Sequence, residues 1–382
     1  MIMGSYTQVP GKLVAGKQLA SHWFRMHGSL LRALRWHFTI PFVLSCFGLL
    51  LLYSTTYRGP IFPSRVLFQT MWIVIGVFVY FTVSRIRIAS RPASPHLYFW
   101  PIWILLISTL VFGLVRHGSA RWLDLGIVQV QPSEFAKVFF VILLAYFLSE
   151  YTRKEELSRL LWAGGITLAF ILPIIRQPDL GTAVVFIFIF FSVIFLKPVP
   201  GKYILVLVVI LSLLAIPGFF LLKDYQKQRI VAFLQPSRDP LGAGYHVNQS
   251  IIAIGSGGFT GKGFLHGTQT QGQFIPVQSL DFIFATVGEE WGFVGAIIVL
   301  SLFIALVFKG MSLARRVRTD YARLIAFGSL SVILFQVFIN VGMTIGLTPV
   351  TGVPLPFLSY GGSSMLTMWA FCGIFASLER ST

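Results

Sequence analysis

The sequence predicts an all-α polytopic membrane protein with about ten transmembrane helices and a large extracytoplasmic loop between helices 7 and 8. Three observations lead there. Only 11% of the residues are charged and 55% are hydrophobic, where a soluble domain carries roughly 25% charged residues. Ten apolar stretches approach the ~20 residues needed to cross a bilayer. Between the seventh and eighth, one long polar interruption runs from about Asp224 to Glu290. Mean hydropathy is +0.79, so lipid must be the solvent over much of the chain.

Taken in order, the stretches fall near 38–57, 66–84, 97–115, 133–150, 158–176, 179–196, 202–222, 281–308, 323–346 and 357–378. The eighth exceeds the thickness of the hydrocarbon layer and is expected to tilt or protrude. Pro41, Pro101, Pro173 and Pro217 fall inside spans, where neighbouring helices can satisfy the freed carbonyls. Residues 1–37 are polar and basic and read as a cytoplasmic tail ahead of an uncleaved first span. Residues 38–378 form one transmembrane domain, with 223–280 as its large outer loop.

The net charge of +17 arises from 30 Lys and Arg against 13 Asp and Glu. These cations cluster in alternate loops, among them Arg85, Arg87 and Arg91, Arg153 and Lys154, and Arg315, Arg316 and Arg318. The positive-inside rule puts those loops and both termini in the cytoplasm. The location intended is the bacterial inner membrane. The same distribution argues against a nucleic-acid partner, which would need a basic face on a soluble domain. Cys46 and Cys372 lie inside apolar stretches and read as small buried hydrophobes.

The 223–280 loop holds Tyr245, Val247, Ile251, Ile252, Phe259, Phe264 and Phe274. Disordered segments are poor in aromatic and β-branched residues, so this loop is expected to be ordered. Its glycine-rich part, GSGGFTGKG at 255–263, lacks a Walker pattern. It reads as a set of turns or as an anion-binding nest that presents Lys262.

Acids are few, and five lie at or inside membrane depth: Glu134, Asp179, Asp281, Glu289 and Glu290. A charge at the centre of a span costs about 2.5–3.5 kcal/mol on insertion scales and normally faces a cavity or a partner. In QPSEFAKV, Glu134 and Lys137 share a helix face. They either form an internal ion pair or line a polar cavity with Lys137 toward an anionic substrate, and Ser133 is placed to cap the helix. In RQPDLGTA, Asp179 either caps the sixth span or lines the cavity beside Arg176. Arg121, in GSARWLDLG, is either a phosphate ligand or an interfacial anchor beside Trp122. Asp281 begins DFIFATVGEE at the outer end of the eighth span. As a cap it would complement the helix dipole. The other arrangement, a carboxylate at the outer surface near Arg and Lys, is what glycosyl transfer from a lipid diphosphate requires. One group must deprotonate the acceptor, and cations or a metal ion must neutralise the leaving diphosphate. Glu289 and Glu290 would tune Asp281 or bond to neighbouring helices.

Six blocks, in order and at fitting separations, resemble the SEDS family (shape, elongation, division and sporulation). They are QPSEFAKV, QPDLGTA, DPLGAGYHVNQS, IAIGSGGFTGKG, DFIFATVGEE and LTPVTGVPLPFLSYGGSS. Their wording is closer to rod-shape members than to division members. The resemblance implies ten spans, a large outer loop and polymerisation of lipid II into glycan strands with a class B penicillin-binding transpeptidase as partner. It implies that Asp281 is the essential acid and that Glu134, Lys137 and Asp179 are cavity residues. The segment Gln273–Asp281 departs from the family wording, lacking two glutamates, an arginine, a histidine and a threonine. The resulting expectation is an inverting peptidoglycan glycosyltransferase for cell elongation. Asp281 is its general base, and Lys137, Glu134, Asp179, Arg121 and Lys262 form its diphosphate and cavity set. A divalent cation, Mg or Mn, is a candidate cofactor, and no organic cofactor is needed. The alternatives are a lipid-precursor flippase or transporter, a non-catalytic scaffold for the transpeptidase, and the division role.

Overall fold

The structure, a computed structural model, describes residues 35–57, 59, 63–90, 94–116, 119–124, 126, 128–150, 156–235, 243–275 and 278–382. The N-terminal tail before Arg35 lies outside the described residues, as do Arg58, Arg91, Arg153, Lys154, Arg238, Asp239 and Val277.

Each of the ten apolar stretches contains a helix. The first two are α1 (Trp36–Thr56) and α2 (Ser64–Arg85), followed by α3 (His96–Phe112). Then come α4 (Pro132–Ser149), α5 (Glu156–Arg176), α6 (Leu180–Ile194) and α7 (Gly201–Leu221). The eighth span is composite: α11 (Ile283–Thr286), a π-helical segment (Val287–Trp291) and α12 (Gly292–Arg316). The last two are α13 (Asp320–Thr344) and α14 (Gly362–Glu379). Six spans are long and apolar enough to cross a membrane: α1, α2, α4, α5, the composite span and α13. The chain is a multi-pass helical membrane protein.

Two short helices shape the site. At 17 residues, α3 gives way after Gly113 to strand β1 (Leu114–Arg116), two residues before the expected end of the span. β1 pairs antiparallel with β2 (Ser119–Asp124), and β2 pairs with β3 (Gln129–Val130). This three-stranded sheet was not expected from the sequence, because its strands are too short to show an alternating pattern. α6 has 15 residues and rises ~22 Å, short of the ~30 Å hydrocarbon layer. Its first turn is capped by Asp179.

The core sits around α4, α13 and α14. α13 packs on α4, α6 and α12, and α14 lies along α2 and against α4. Phe140, Phe170 and Phe186 stack between α4, α5 and α6. Outward faces keep large apolar side chains such as Phe78, Leu97, Phe220 and Phe308 exposed, as a lipid-facing surface requires.

The 223–280 segment is ordered over its described part, and more helical than its sequence pattern indicates. It folds as α8 (Asp224–Leu234), α9 (Ala243–Ser256) and α10 (Thr268–Gln271). α9 packs on α8, α11, α13 and the π segment.

Candidate active site

Asp281 lies in a turn just ahead of α11. The helix N-cap is Phe282, without a side-chain cap bond, so the cap role considered for Asp281 is not the one it takes. Its backbone is fixed from the core. Buried Asn340 of α13 donates from Nδ2 to the Asp281 carbonyl at 2.9 Å and to the Val353 carbonyl at 2.8 Å. One amide thereby ties the turn to the tract 346–358. Gly352 adopts φ +73° there. A Cβ on Gly352 would lie 3.7 Å from Asp281 Oδ2 and 3.8 Å from Arg229 Nη1, so the two charged groups meet over that glycine.

Arg229 comes from α8, and its Nη1 donates to the Val350 carbonyl at 3.5 Å. Arg121 comes from β2. Its Nη1 lies 3.4 Å from Asp179 Oδ1, and its Nη2 donates to the Pro178 carbonyl. Burial pushes the Asp281 carboxyl up to about 6, against the pull of Arg229 and then Arg121, with Asp179 adding to the rise. Among the described residues, no hydrogen bond is formed by the Asp281 carboxylate.

Asp179 takes the first of the two roles foreseen for it, the cap. Oδ1 accepts from the Thr182 backbone N–H at 3.2 Å, which caps α6, and Oδ2 accepts from Thr182 Oγ1 at 2.9 Å. Its cationic neighbour is Arg121, however, and not Arg176. Gln131 Nε2 donates to Asp179 Oδ2 at 3.2 Å, linking this group to the start of α4. One turn further along α4, Lys137 Nζ donates to Glu134 Oε1 at 2.7 Å, with both side chains buried. Glu134 Oε2 and Ser133 Oγ are buried without partners. Ser133 does not cap α4; Gln131 occupies that position and Pro132 stands at the first turn. Gln131, Asp179 and Arg121 thus form one linked polar group, with Arg121 adding positive charge near Asp281, while the Glu134–Lys137 pair stands one turn along α4 from Gln131.

Lys262 stands apart from this group. Its Nζ bonds to Glu289 Oε1 at 2.8 Å and to Thr268 Oγ1 at 2.7 Å. Glu289 also accepts the backbone N–H groups of Gln269 and Thr270 and the Thr270 hydroxyl, each at 2.8 Å. Glu290 accepts from the Ser54 hydroxyl. The two glutamates bind α1 and the 223–280 segment to the composite span, and among the described residues their hydrogen-bond and ion-pair partners do not include Asp281. The glycine-rich turns follow from that packing. Lys262 N and Gly263 N donate to the Glu289 and Glu290 carbonyls, both at 3.0 Å, while Phe293 N donates to the Gly258 carbonyl at 3.0 Å. These are groups that the π segment frees from regular helical bonding. Gly257 and Gly261 lie so close that a Cβ on either would overlap the Gly288 or Glu290 carbonyl oxygen.

The unusual segment before Asp281 has its own partners. Gln278 Nε2 donates to Thr270 Oγ1 at 2.8 Å and to Thr286 Oγ1 at 2.9 Å, and Ser279 Oγ accepts from Arg65 at 3.2 Å. Among the described residues, no group of three or more His, Cys, Asp and Glu gathers to hold a metal ion. Asp281 is the carboxylate with uncommitted oxygens at the site, and Arg229 and Arg121 beside it supply positive charge. Sequence reasoning did not single out Arg229, Gln131 or Asn340. Arg229 stands three residues from both Gln226 and Ala232, the residues that α8 buries, and so shares their helix face.

The FtsW, RodA and SpoVE family model, described as cell cycle protein, matches residues 34–382. The chain is 44% identical over 291 residues to the peptidoglycan glycosyltransferase MrdB of Escherichia coli strain K12, covering 75% of this chain and 77% of that protein. It is 34% identical to the peptidoglycan glycosyltransferase RodA of Treponema pallidum, over 88% of this chain and 95% of the relative. Among solved structures, a peptidoglycan synthase complex coordinating polymerization and crosslinking matches with TM-score 0.76 and 29% identity, covering 90% of this chain and 96% of that chain. The rod shape determining protein RodA of Thermus thermophilus matches with TM-score 0.66 and 26% identity, over 90% of this chain and 95% of that one. A multi-pass helical bundle is the fold these proteins share. The chain belongs to the SEDS family, the FtsW, RodA and SpoVE group of cell cycle proteins, and among the relatives named it is most like the rod-shape members.

Proposed function

We propose that this protein is a peptidoglycan glycosyltransferase that polymerises lipid II into glycan strands for cell elongation. The observation that supports it most is the Asp281 carboxylate, which forms no hydrogen bond among the described residues and is flanked by Arg229 and Arg121. In this reading Asp281 takes the proton from the acceptor sugar's 4-hydroxyl. The hydroxyl oxygen bonds to the donor's anomeric carbon while the bond from that carbon to the undecaprenyl diphosphate oxygen breaks, with inversion. The electron pair leaves with the diphosphate, whose charge Arg229 and Arg121 neutralise. Inverting glycosidases use a carboxylate in the same way to activate water. Were a divalent cation, Mg or Mn, bound at the site, Asp281 would be the residue to hold it, and the ion would supply further neutralisation of the diphosphate charge. Asp179 holds Arg121 in place, and Glu134 and Lys137 anchor the start of α4 beneath it.

The reaction belongs on the outer face of the bacterial inner membrane, with both termini cytoplasmic and a class B penicillin-binding transpeptidase as partner. The name of the solved peptidoglycan synthase complex supports such a partner. The test is lipid II polymerisation by the purified protein, with and without the transpeptidase. Glycan product from wild type and none from Asp281→Ala is the expected result, and undiminished product from Asp281→Ala would remove that residue from the mechanism. The buried Glu134–Lys137 pair also suits a flippase. Transbilayer lipid movement in proteoliposomes without polymer would favour that reading.

A further inference from the structure

At the opposite end of the bundle from Asp281, the start of α1 meets the C-terminal ends of α2 and α14 around a cavity of about 110 Å³. Three arginines line it: Arg35 ahead of α1, Arg85 in the last turn of α2 and Arg380 at the end of α14. Tyr80, Phe81 and Ala376 supply an apolar wall. His37, 1% exposed, sits at the back, bonded to the Tyr80 hydroxyl at 2.8 Å and to Glu379 Oε2 at 3.1 Å.

The cations are not equivalent. Arg35 Nη1 is paired with Glu379 at 2.8 Å, and Arg380 Nη1 donates to the Ser84 carbonyl at 3.0 Å. Arg85 is exposed and, among the described residues, forms no hydrogen bond or ion pair. Glu379 offsets one of the three positive charges, so the cavity keeps an excess of positive charge beside an apolar wall. Cations here also complement the helix C-termini, but that role does not require three arginines around one hollow. An anion with an apolar body suits this arrangement, and basic pockets between helices at the cytoplasmic surface are where anionic headgroups bind.

We propose that this cavity is a binding site for the phosphodiester headgroup of an anionic phospholipid of the inner leaflet. Arg85 and Arg380 face the phosphate, and Tyr80 and Phe81 face the first part of the acyl chains. The site is independent of the proposed polymerase reaction.

Native mass spectrometry of the detergent-purified full chain tests this, using phosphatidylglycerol and phosphatidylethanolamine with identical acyl chains. Wild type is expected to retain phosphatidylglycerol several-fold more than phosphatidylethanolamine. Arg85→Gln, which removes a side chain with no hydrogen-bond or ion-pair partner among the described residues, is expected to lose most of that excess at an unchanged melting temperature, and Arg85→Lys to keep most of it. Equal retention of the two lipids, or an excess untouched by both Arg85→Gln and Arg85→Glu, would overturn the proposal. Millimolar inorganic phosphate distinguishes the sources of the anion. Phosphatidylglycerol that stays bound supports a lipid site, and its displacement would assign the cavity to a free phosphate.

Discussion

Asp281 sits where burial favours its neutral form and two arginines favour its charge, and burial prevails, placing its pKa at about 6. A general base works only when deprotonated. The rate of lipid II polymerisation at low substrate should therefore fall about tenfold per pH unit below that value and level off above it. Arg229 is the strongest of the two opposing cations. In Arg229→Gln the acid limb of the pH–rate profile should move to higher pH, apart from any loss in diphosphate binding. The same residue has a consequence for stability. A carboxyl whose folded pKa lies above its unfolded value of 3.8 favours folding at low pH, and that contribution is lost as pH rises through about 6. Asp281→Asn should hence melt higher than wild type at pH 8, and the gain should vanish toward pH 4, while polymerisation falls at least ~10²-fold. Thermal melts across that range, beside the polymerisation assay, check both halves.

At the scale of elements, the composite span depends on the turns that cover its π segment. Gly261 has φ +84° and no room for a Cβ beneath the Glu290 carbonyl. Gly258 has φ +56°, but nothing lies within 4 Å of where its Cβ would be. Gly261→Ala should thus lower stability by about 3 kcal/mol or more, combining backbone strain with overlap, whereas Gly258→Ala should cost about 1 kcal/mol. Melting temperatures of the two variants measure the difference. A similar loss in both would mean that the turns do not rest on the π segment. α6 bears on the site differently. Its capped end brings Asp179 beside Arg121 of β2 and Gln131 of α4.

At the scale of the molecule, the cation-rich loops and the 223–280 segment should lie on opposite sides of the membrane. In a Cys46→Ser, Cys372→Ser background, Phe259→Cys places a thiol on a side chain that is 69% exposed, and Arg316→Cys places one at the end of α12. A membrane-impermeant maleimide added outside should label the first in intact cells and the second only after permeabilisation. Labelling in the reverse order would invert the orientation and put Asp281 on the wrong face for an outer-leaflet substrate.

Much of this was legible in the sequence. The ten spans show because burial in lipid demands ~20 apolar residues in a row, a local requirement that composition alone reveals. The acids at membrane depth stand out because such charges are costly there, and Asp179 as the cap of α6 was visible from the residues beside it. Other features came only with the tertiary structure. The approach of Arg229 and Arg121 to Asp281, the Asn340 amide tying two distant turns together, and the commitment of Lys262 to Glu289 all join segments far apart in the chain. Which cation faces which acid depends on how helices of unequal length stack, and no local pattern encodes that. The sheet at 114–130 and the π segment at 287–291 were hidden for a related reason, since each is a short backbone arrangement held by groups elsewhere in the fold. The sequence by itself determined the solvent, the spans and the scarce charges, while the packing of the spans decided which of those charges meet.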